Sequence, residues 1–341
     1  MDRLVPNEKS KLEFYSMKIL VTGGAGYVGS KLVPSLLNTG YKVTVLDLMI
    51  YGEDVLDYNE QLTKIKGDIR NQKLLKKILP GHDVVIHLAC ISNDPSFELN
   101  PTLGKSINFD AFEPLVKISR DSKVNKFIYA SSSSVYGIKK EKDVTEDMKL
   151  EPLTDYSKFK GQCEKILNNY KADDFITTTI RPSTVCGYAR RQRLDLVVNI
   201  LTNHAFHKRK IKVFGGEQLR PNVHIDDMVN SYFAILNADN KKINGEIFNV
   251  GFKNQTVNEL ANNVKEVIGD DIEIVKTKSD DNRSYHVSCK KISEILGFNT
   301  KHTIKDAVTD LKKAFEKKLI INSFDDEKFF NIKRMQSIDL V

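Results

Sequence analysis

Residues Lys18 to Ser30 read KILVTGGAGYVGS, and the fold turns on how this stretch is read. Ile19, Leu20, Val21 and Thr22 form a mostly apolar run of the length expected for a buried strand. Glycines then crowd together at Gly23, Gly24, Gly26 and Gly29, and an apolar pattern at helical spacing continues to Leu36 and Leu37. A strand, a glycine turn and a helix make the first half of a dinucleotide-binding unit. The glycines let the backbone turn tightly and approach a pyrophosphate, and the helix N-terminus offers that anion its free N–H groups. Gly24-x-Gly26-x-x-Gly29 fits the common spacing, and Gly23-x-x-Gly26-x-x-Gly29 fits a variant of it. Glycines also serve ordinary strand-to-helix turns, so the motif takes its meaning from what surrounds it.

Those surroundings alternate strand and helix. Lys42–Asp47 (KVTVLD) reads as a second strand ending in an acid, and Asp47 lies 18 residues past Gly29. Such folds place a carboxylate near there on the adenosine ribose. It accepts hydrogen bonds from the ribose hydroxyls and repels a 2′-phosphate, which favours NAD over NADP. A third strand at Thr63–Lys66, a helix at Gln72–Leu79 and an apolar run at Asp83–Leu88 follow. Next come a helix at Pro101–Arg120 carrying Asn108, a strand at Lys126–Ala130, a helix at Tyr156–Tyr170 and a strand at Phe175–Ile180. Glu246–Val250 supplies the last sheet strand. This alternation predicts an α/β fold, a doubly wound parallel sheet with helices on both faces. Residues from Pro182 to about Val223, and from Gly251 onward, read as insertions building a lid beside the sheet. Beyond Ile320 the periodicity is weak, and that tail is expected to be ordered only by packing.

Composition narrows the class. A chain of 341 residues can hold a large core and two lobes sharing one nucleotide site. Hydrophobic content of 40% and charged content of 28% are ordinary for a soluble globular protein. The net charge of +7 is spread out, with short clusters such as Arg190–Arg193 and Lys208–Lys210. It suits anionic small molecules; no aromatic-rich basic repeat or zinc-finger spacing points to nucleic acid. Cys90, Cys163, Cys186 and Cys289 lie far apart without a CxxC pair. A reduced, cytoplasmic protein without disulfides or a metal site is therefore expected. No apolar run approaches the roughly 18 residues that span a membrane. Residues 1–16 are polar, lack the apolar centre of a signal peptide and precede a second methionine, Met17.

Tyr156 and Lys160 are spaced i, i+4 and so share one helix face. An ammonium one turn from a phenol favours the phenolate and lowers the tyrosine pKa from its ordinary value of about 10. Tyr156 then becomes a candidate general base. The strand Lys126–Ala130 empties into Ser131-Ser132-Ser133-Ser134-Val135-Tyr136-Gly137, at the carboxyl end of a strand where the crevice of an open parallel sheet lies. A serine hydroxyl there can hold a substrate oxygen beside the tyrosine.

Together with Asp47, Gly67-Asp68-Ile69, His87-Leu88-Ala89, Asn108 and Arg181-Pro182, these motifs occur in an order that resembles the extended short-chain dehydrogenase/reductase family, in its nucleotide-sugar epimerase/dehydratase branch. The likeness runs from about Met17 to Phe315. It implies a Rossmann domain over 17–181, to which 225–251 returns, and a smaller substrate-binding α/β domain from 182–224 and 252–320. Residues 321–341 would form a C-terminal tail. It implies NAD as cofactor, a nucleotide-diphosphate sugar as substrate, and a homodimer formed through Pro101–Arg120 and Tyr156–Tyr170. Gly23, Gly26, Tyr27, Val28 and Gly29 would carry the pyrophosphate, Asp47 the ribose, and Asp68 and Ile69 the adenine. Leu88, Ala89 and Asn108 would belong to the cofactor cleft. Lys160 would touch the nicotinamide ribose while tuning Tyr156, and Ser132 would be the catalytic hydroxyl. On the substrate side stand Ser132, Ser133, Asn199, Arg220 in an R-x-x-x-H-x-x-D segment, and Arg283 in Asp281-x-Arg283-x-Tyr285.

Within the branch, 4,6-dehydratases and related decarboxylases carry acids, and 3,5-epimerases a cysteine, just before the V-Y-G tyrosine. Ser133 and Ser134 stand there instead. What remains is the minimal set of Ser132, Tyr156 and Lys160, enough to oxidise or reduce one carbon. That set fits a 4-epimerase working by transient oxidation at C4, and equally a 4-keto-sugar reductase; Asp47 leans toward the first. A dehydratase or a non-catalytic dinucleotide-binding regulator fits less well. Cys186 stands where a tyrosine is common, either lining the sugar pocket or filling a buried site. Arg190–Asn199 is expected to cover the nucleotide-sugar, with no catalytic role readable for Arg193 or Asp195.

Overall fold

The computed structural model describes residues 17–141, 143–278, 284 and 286–340. In chain order its strands begin with β1 Lys18–Thr22, β2 Lys42–Asp47, β3 Leu62–Lys66, β4 Val84–His87, β5 Lys126–Ala130 and β6 Ile176–Pro182. They continue with β7 Thr184–Cys186, β8 Lys210–Phe214, β9 Leu219–His224, β10 Glu246–Val250, β11 Asn254–Thr256 and β12 Glu273–Thr277. Seven of them form one parallel sheet in the order β3-β2-β1-β4-β5-β6-β10. Sequence order reverses between β1 and β4, and a crevice opens at the carboxyl ends of the strands there.

Both faces of the sheet are covered, which is why its central strands read as nearly continuous apolar runs. In β1, Ile19 and Val21 point to one face, where they pack with helices α1 Gly29–Asn38 and, later in the chain, Ile225–Leu236. Leu20 points to the other face, against residues of α2 Gln72–Ile78. A smaller core lies apart from these two. It gathers Cys186, the helices Val197–Lys208, Val257–Ile268 and Ile304–Glu316, and strand β8. Two short sheets, β11-β9-β7 and β12-β8, frame it. Among the described residues, no helix is long and apolar enough to cross a membrane.

Two elements differ from the sequence reading. A short helix α3 Asp94–Leu99 comes first, and the single helix expected at Pro101–Arg120 is broken into α4 Pro101–Lys105, a π-helical turn at Ser106–Asp110, and α5 Phe112–Asp121. The extra residue in the wide turn carries no period of its own and leaves no mark on the apolar pattern. The tail is also more structured than its weak periodicity suggests, since it ends in a helix at Asn331–Ser337 whose Asn331 and Met335 are buried.

Helix α6 Asp155–Asn169 starts where it does because Thr154 caps it. Thr154 Oγ1 accepts from the Ser157 N–H at 3.3 Å, and Ser157 Oγ accepts from the Thr154 N–H at 3.2 Å. From α6, Glu164 reaches under the end of the sheet to Arg181 of β6, with Nε to Oε1 at 3.0 Å and Nη2 to Oε2 at 2.7 Å. Both side chains are about 3% exposed. Ser131 Oγ donates to the same carboxylate at 2.5 Å, while Arg181 Nη1 donates to the Tyr136 hydroxyl at 2.7 Å. A Glu164→Ala chain strands a buried guanidinium, so its stability to urea is expected to fall by about 3–5 kcal/mol. A midpoint equal to that of the unaltered chain would remove this pair from the list of structural ties.

Candidate active site

At the carboxyl ends of β1, β4, β5 and β6 lies a cleft of about 540 Å³, within the size range of small-molecule sites. The glycine turn forms its floor. Gly23 has φ +74°, and a Cβ there would meet the Ala89 backbone nitrogen at 2.5 Å, so only glycine allows β1 and the β4 loop to approach this closely. A Cβ on Gly26 would meet only the Gly23 oxygen, at 3.2 Å; its other side is open. That open backbone at the start of α1 is what a dinucleotide pyrophosphate requires.

Asp47 lines the cleft at the end of β2, held by the Ala25 N–H to Oδ2 at 3.0 Å and the Met49 N–H to Oδ1 at 2.8 Å. Burial raises its pKa, against the lowering effect of those two N–H groups and of Arg191. Tyr27, Val28, Gly29, Asp68, Ile69, Leu88 and Ala89 also line the cleft. Asn108 does not. Its side chain accepts from the Ile91 N–H at 2.8 Å and donates to the Ile91 carbonyl at 2.9 Å, so it braces the loop after β4 from behind.

The three reactive candidates do converge on one cleft: Ser132, Tyr156 and Lys160 all line it, with Ser133 and Ser134 beside them. Ser132 caps the short helical turn Ser133–Tyr136, and its Oγ lies 2.9 Å from the Ser134 Oγ. Lys160 Nζ donates to the Ala130 carbonyl at 2.7 Å and sits 5.9 Å from the centre of the Tyr156 ring. The expected lowering of the Tyr156 pKa is not found in this structure. Burial raises it, Cys90 and Asp94 push the same way, and the Asn93 backbone N–H and Arg193 oppose them without prevailing. The ammonium of Lys160 is committed to a backbone carbonyl, and desolvation of the phenolate prevails.

On the substrate side, Arg220 and Ser133 line the cleft. Asn199 turns away from it and is fully buried, donating from Nδ2 to the Tyr27 hydroxyl at 3.0 Å and the Arg193 carbonyl at 2.8 Å, and accepting from the Gly187 N–H at 3.0 Å. It therefore holds the lid loop rather than a ligand. Cys186 is also fully buried, with its Sγ donating to the Val223 carbonyl at 3.4 Å, which is the buried-site alternative. Arg283, with Asp281 and Tyr285, lies outside the described residues.

Several lining residues were given no role from the sequence. Arg193 forms a two-pronged pair with Asp195, Nε to Oδ1 at 2.9 Å and Nη2 to Oδ2 at 3.0 Å, and donates from Nη1 to the Ser92 hydroxyl at 3.1 Å. Arg191, Tyr51, Asn331, Met335 and Leu340 also face the cleft. The Arg-x-Asp spacing within Arg190–Asn199 was a readable signal; nothing in the tail was.

A family model described as the NAD dependent epimerase/dehydratase family matches residues 19–251. A UDP-glucose 4-epimerase of Lactobacillus helveticus is 30% identical over 314 residues, covering 86% of this chain and 94% of the relative. The crystal structure of a UDP-glucose 4-epimerase from Thermotoga maritima, solved with UDP-glucose, aligns with a TM-score of 0.80 at 27% identity over 89% of this chain and 100% of its own. DesIV, a dTDP-glucose 4,6-dehydratase of Streptomyces venezuelae solved with NAD, shares the fold with a TM-score of 0.79 at 24% identity, over 88% and 97% of the two chains. The chain belongs to the NAD dependent epimerase/dehydratase family, and NAD is its cofactor.

The inward placement of Asn199 has a measurable consequence. Asn199→Ala leaves the Gly187 N–H and the Tyr27 hydroxyl short of a buried partner, and the thermal midpoint is expected to drop with a cost of about 1–3 kcal/mol. A role confined to ligand binding would leave that midpoint unmoved in the substrate-free protein.

Proposed function

We propose, from that membership and from the residues around Ser132, that the protein is an NAD-dependent nucleotide-sugar 4-epimerase. The carrying observation is what stands beside Ser132, Tyr156 and Lys160 in the cleft. Ser133 and Ser134 supply hydroxyls where elimination chemistry needs an acid. Proton transfer at a carbon beyond C4 has no obvious agent there, whereas oxidation and reduction of C4 needs none. The names of the relatives make UDP-glucose the first substrate to try.

In this reading the cleft would hold NAD beside the sugar, where the cofactor would supply reversible hydride acceptance at C4. Tyr156 removes the C4 hydroxyl proton as the carbon is oxidised and gives it back when the alcohol re-forms. Ser132 holds the same oxygen by a hydrogen bond. Lys160, on the same face of α6 as Tyr156, favours the phenolate once its ammonium turns from the Ala130 carbonyl toward the cleft. Asp47 accepts from the adenosine ribose hydroxyls, and Asp68 and Ile69 frame the adenine. Arg220, with Arg283 from outside the described residues, clamps the diphosphate through paired guanidinium contacts. The unit of 17–181 with 225–251 carries the cofactor, and 182–224 with 252–320 the sugar nucleotide. Two chains pair through α4–α5 and α6.

A reductase of 4-keto sugars remains the second reading, since it uses the same three residues. The two part on cofactor demand. Incubation with UDP-, GDP-, dTDP- and CDP-sugars is expected to give C4 epimers without added cofactor; turnover only with added NADPH would establish the reductase instead. Tyr156→Phe is expected to keep NAD and lose activity by roughly 10²–10⁴-fold, the usual share of acid–base catalysis. Full activity in that variant would remove Tyr156 as the base. Because burial raises the Tyr156 pKa, the initial rate should climb with pH on the alkaline side. Lys160→Met, which removes a cation favouring the phenolate, should move that limb to higher pH.

A further inference from the structure

The C-terminal segment reaches the cofactor cleft through residues with no part in the mechanism above. Asn331, 4% exposed, is its hub. Its Oδ1 accepts from the Tyr51 hydroxyl at 3.0 Å and from Arg191 Nη2 at 2.5 Å. Its Nδ2 donates to the Ser92 hydroxyl at 3.0 Å, and its backbone N–H donates to Asp195 Oδ2 at 3.2 Å. One side chain and its backbone thus join the loop after β2, the loop after β4 and the lid loop, and all three line the cleft. Further ties flank the hub. Arg334 Nε donates to the Ile50 carbonyl, and the Phe329 carbonyl accepts from the Leu194 N–H at 3.0 Å. Met335 and Leu340 pack on the apolar cluster containing Ile69 and Ile107.

Arg191 supplies the second observation. It is 4% exposed, its guanidinium lies 3.6 Å from the centre of the Tyr51 ring, and its own N–H donates to Ser30 Oγ in the first turn of α1. Yet its buried Nε–H has no hydrogen-bond partner among the described residues. A buried cation with an unmet donor, lining a cleft beside the helix N-terminus that receives a pyrophosphate, is complementary to a dinucleotide anion.

We propose that Glu327–Leu340 is a clasp belonging to the cofactor site: Asn331 sets Arg191 against the dinucleotide, and the segment holds the cleft walls together so that NAD stays bound from one turnover to the next. This rests on the epimerase reading, in which the cofactor is restored within each cycle and has no need to leave.

The test is exchange of bound NAD against deuterium-labelled NAD, followed by mass spectrometry on the full-length holoenzyme, with near-ultraviolet circular dichroism checking that each variant is folded. The unaltered chain is expected to purify with NAD and exchange it slowly. Asn331→Ala should speed exchange about tenfold or more, the usual worth of a hydrogen bond to a charged group. Arg334→Ala should do likewise, although Arg334 does not line the cleft, because it anchors the segment to Ile50. Acceleration in Asn331→Ala alone would overturn the clasp, as would unchanged rates in both variants or rapid exchange in the unaltered chain. Failure of the epimerase reading registers elsewhere: slow exchange with no C4 epimer formed would sink that reading and leave the clasp standing.

Discussion

The buried pair of Glu164 and Arg181 is the constraint on which the reactive wall of the cleft depends. It joins the middle of α6 to the end of β6, and through Ser131 and Tyr136 it fixes both ends of the serine loop. Tyr136 in turn donates to Asn249 Oδ1 at 2.7 Å, which brings in β10. Removing two charges from water costs several kcal/mol each, and a buried pair returns little net stability. Its worth lies in geometry. Both Glu164 oxygens and the Arg181 donors are matched to particular partners, so α6 cannot slide along the sheet without breaking several charged hydrogen bonds. Ser132 follows directly on Ser131, and Tyr156 and Lys160 lie about two turns and one turn before Glu164 on the same helix. The positions of all three are set by a pair that touches none of the chemistry.

Much of this was legible in the sequence, for identifiable reasons. Strands buried on both faces are apolar at nearly every residue, so β1, β4 and β5 declare themselves without their neighbours. The glycine turn is legible because Gly23 and Gly29 meet backbone atoms that no Cβ could tolerate. Tyr156 and Lys160 are legible because i, i+4 spacing on a helix is itself a spatial statement. Asn108 and Asn199 do not line the cleft, and that was not legible because a sequence shows that a residue is polar but not where it points. Both proved to satisfy buried backbone groups, the commoner fate of an interior asparagine. The π-helical turn and the position of the tail were invisible for another reason. Asn331 meets Tyr51 and Ser92 across 280 and 239 residues of chain, and no local pattern encodes such a meeting.

The electrostatics of Tyr156 show where local reasoning stops. Spacing alone made Lys160 the dominant neighbour and predicted an acidic phenol. In the folded chain the phenol is buried, with Cys90 and Asp94 disfavouring its anion, while the lysine is occupied 2.7 Å from a carbonyl. Helical spacing fixes which groups are near one another, whereas desolvation depends on everything else packed around them. The sign of the shift therefore belongs to the tertiary structure, and a site that needs a phenolate must recover it by moving the ammonium or by adding positive charge to the cleft.

That requirement connects the tail to the chemistry. A cation stabilises a buried anion far better in a dry cleft than in an open one, because the effective dielectric falls as water leaves. Arg191 and Arg193 are both held inside the cleft wall by partners that also bind Asn331, directly for Arg191 and through Asp195 and Ser92 for Arg193. One asparagine near the C-terminus thereby keeps two guanidinium groups on the side of the cleft facing Tyr156 and the glycine turn. Such closure would slow cofactor exchange, which a reaction that consumes its reduced cofactor at every cycle cannot tolerate. A reaction that hands its hydride back loses nothing by it. The clasp proposed above thus suits a self-restoring cycle, and it acts through residues far in sequence from the Ser-Tyr-Lys set.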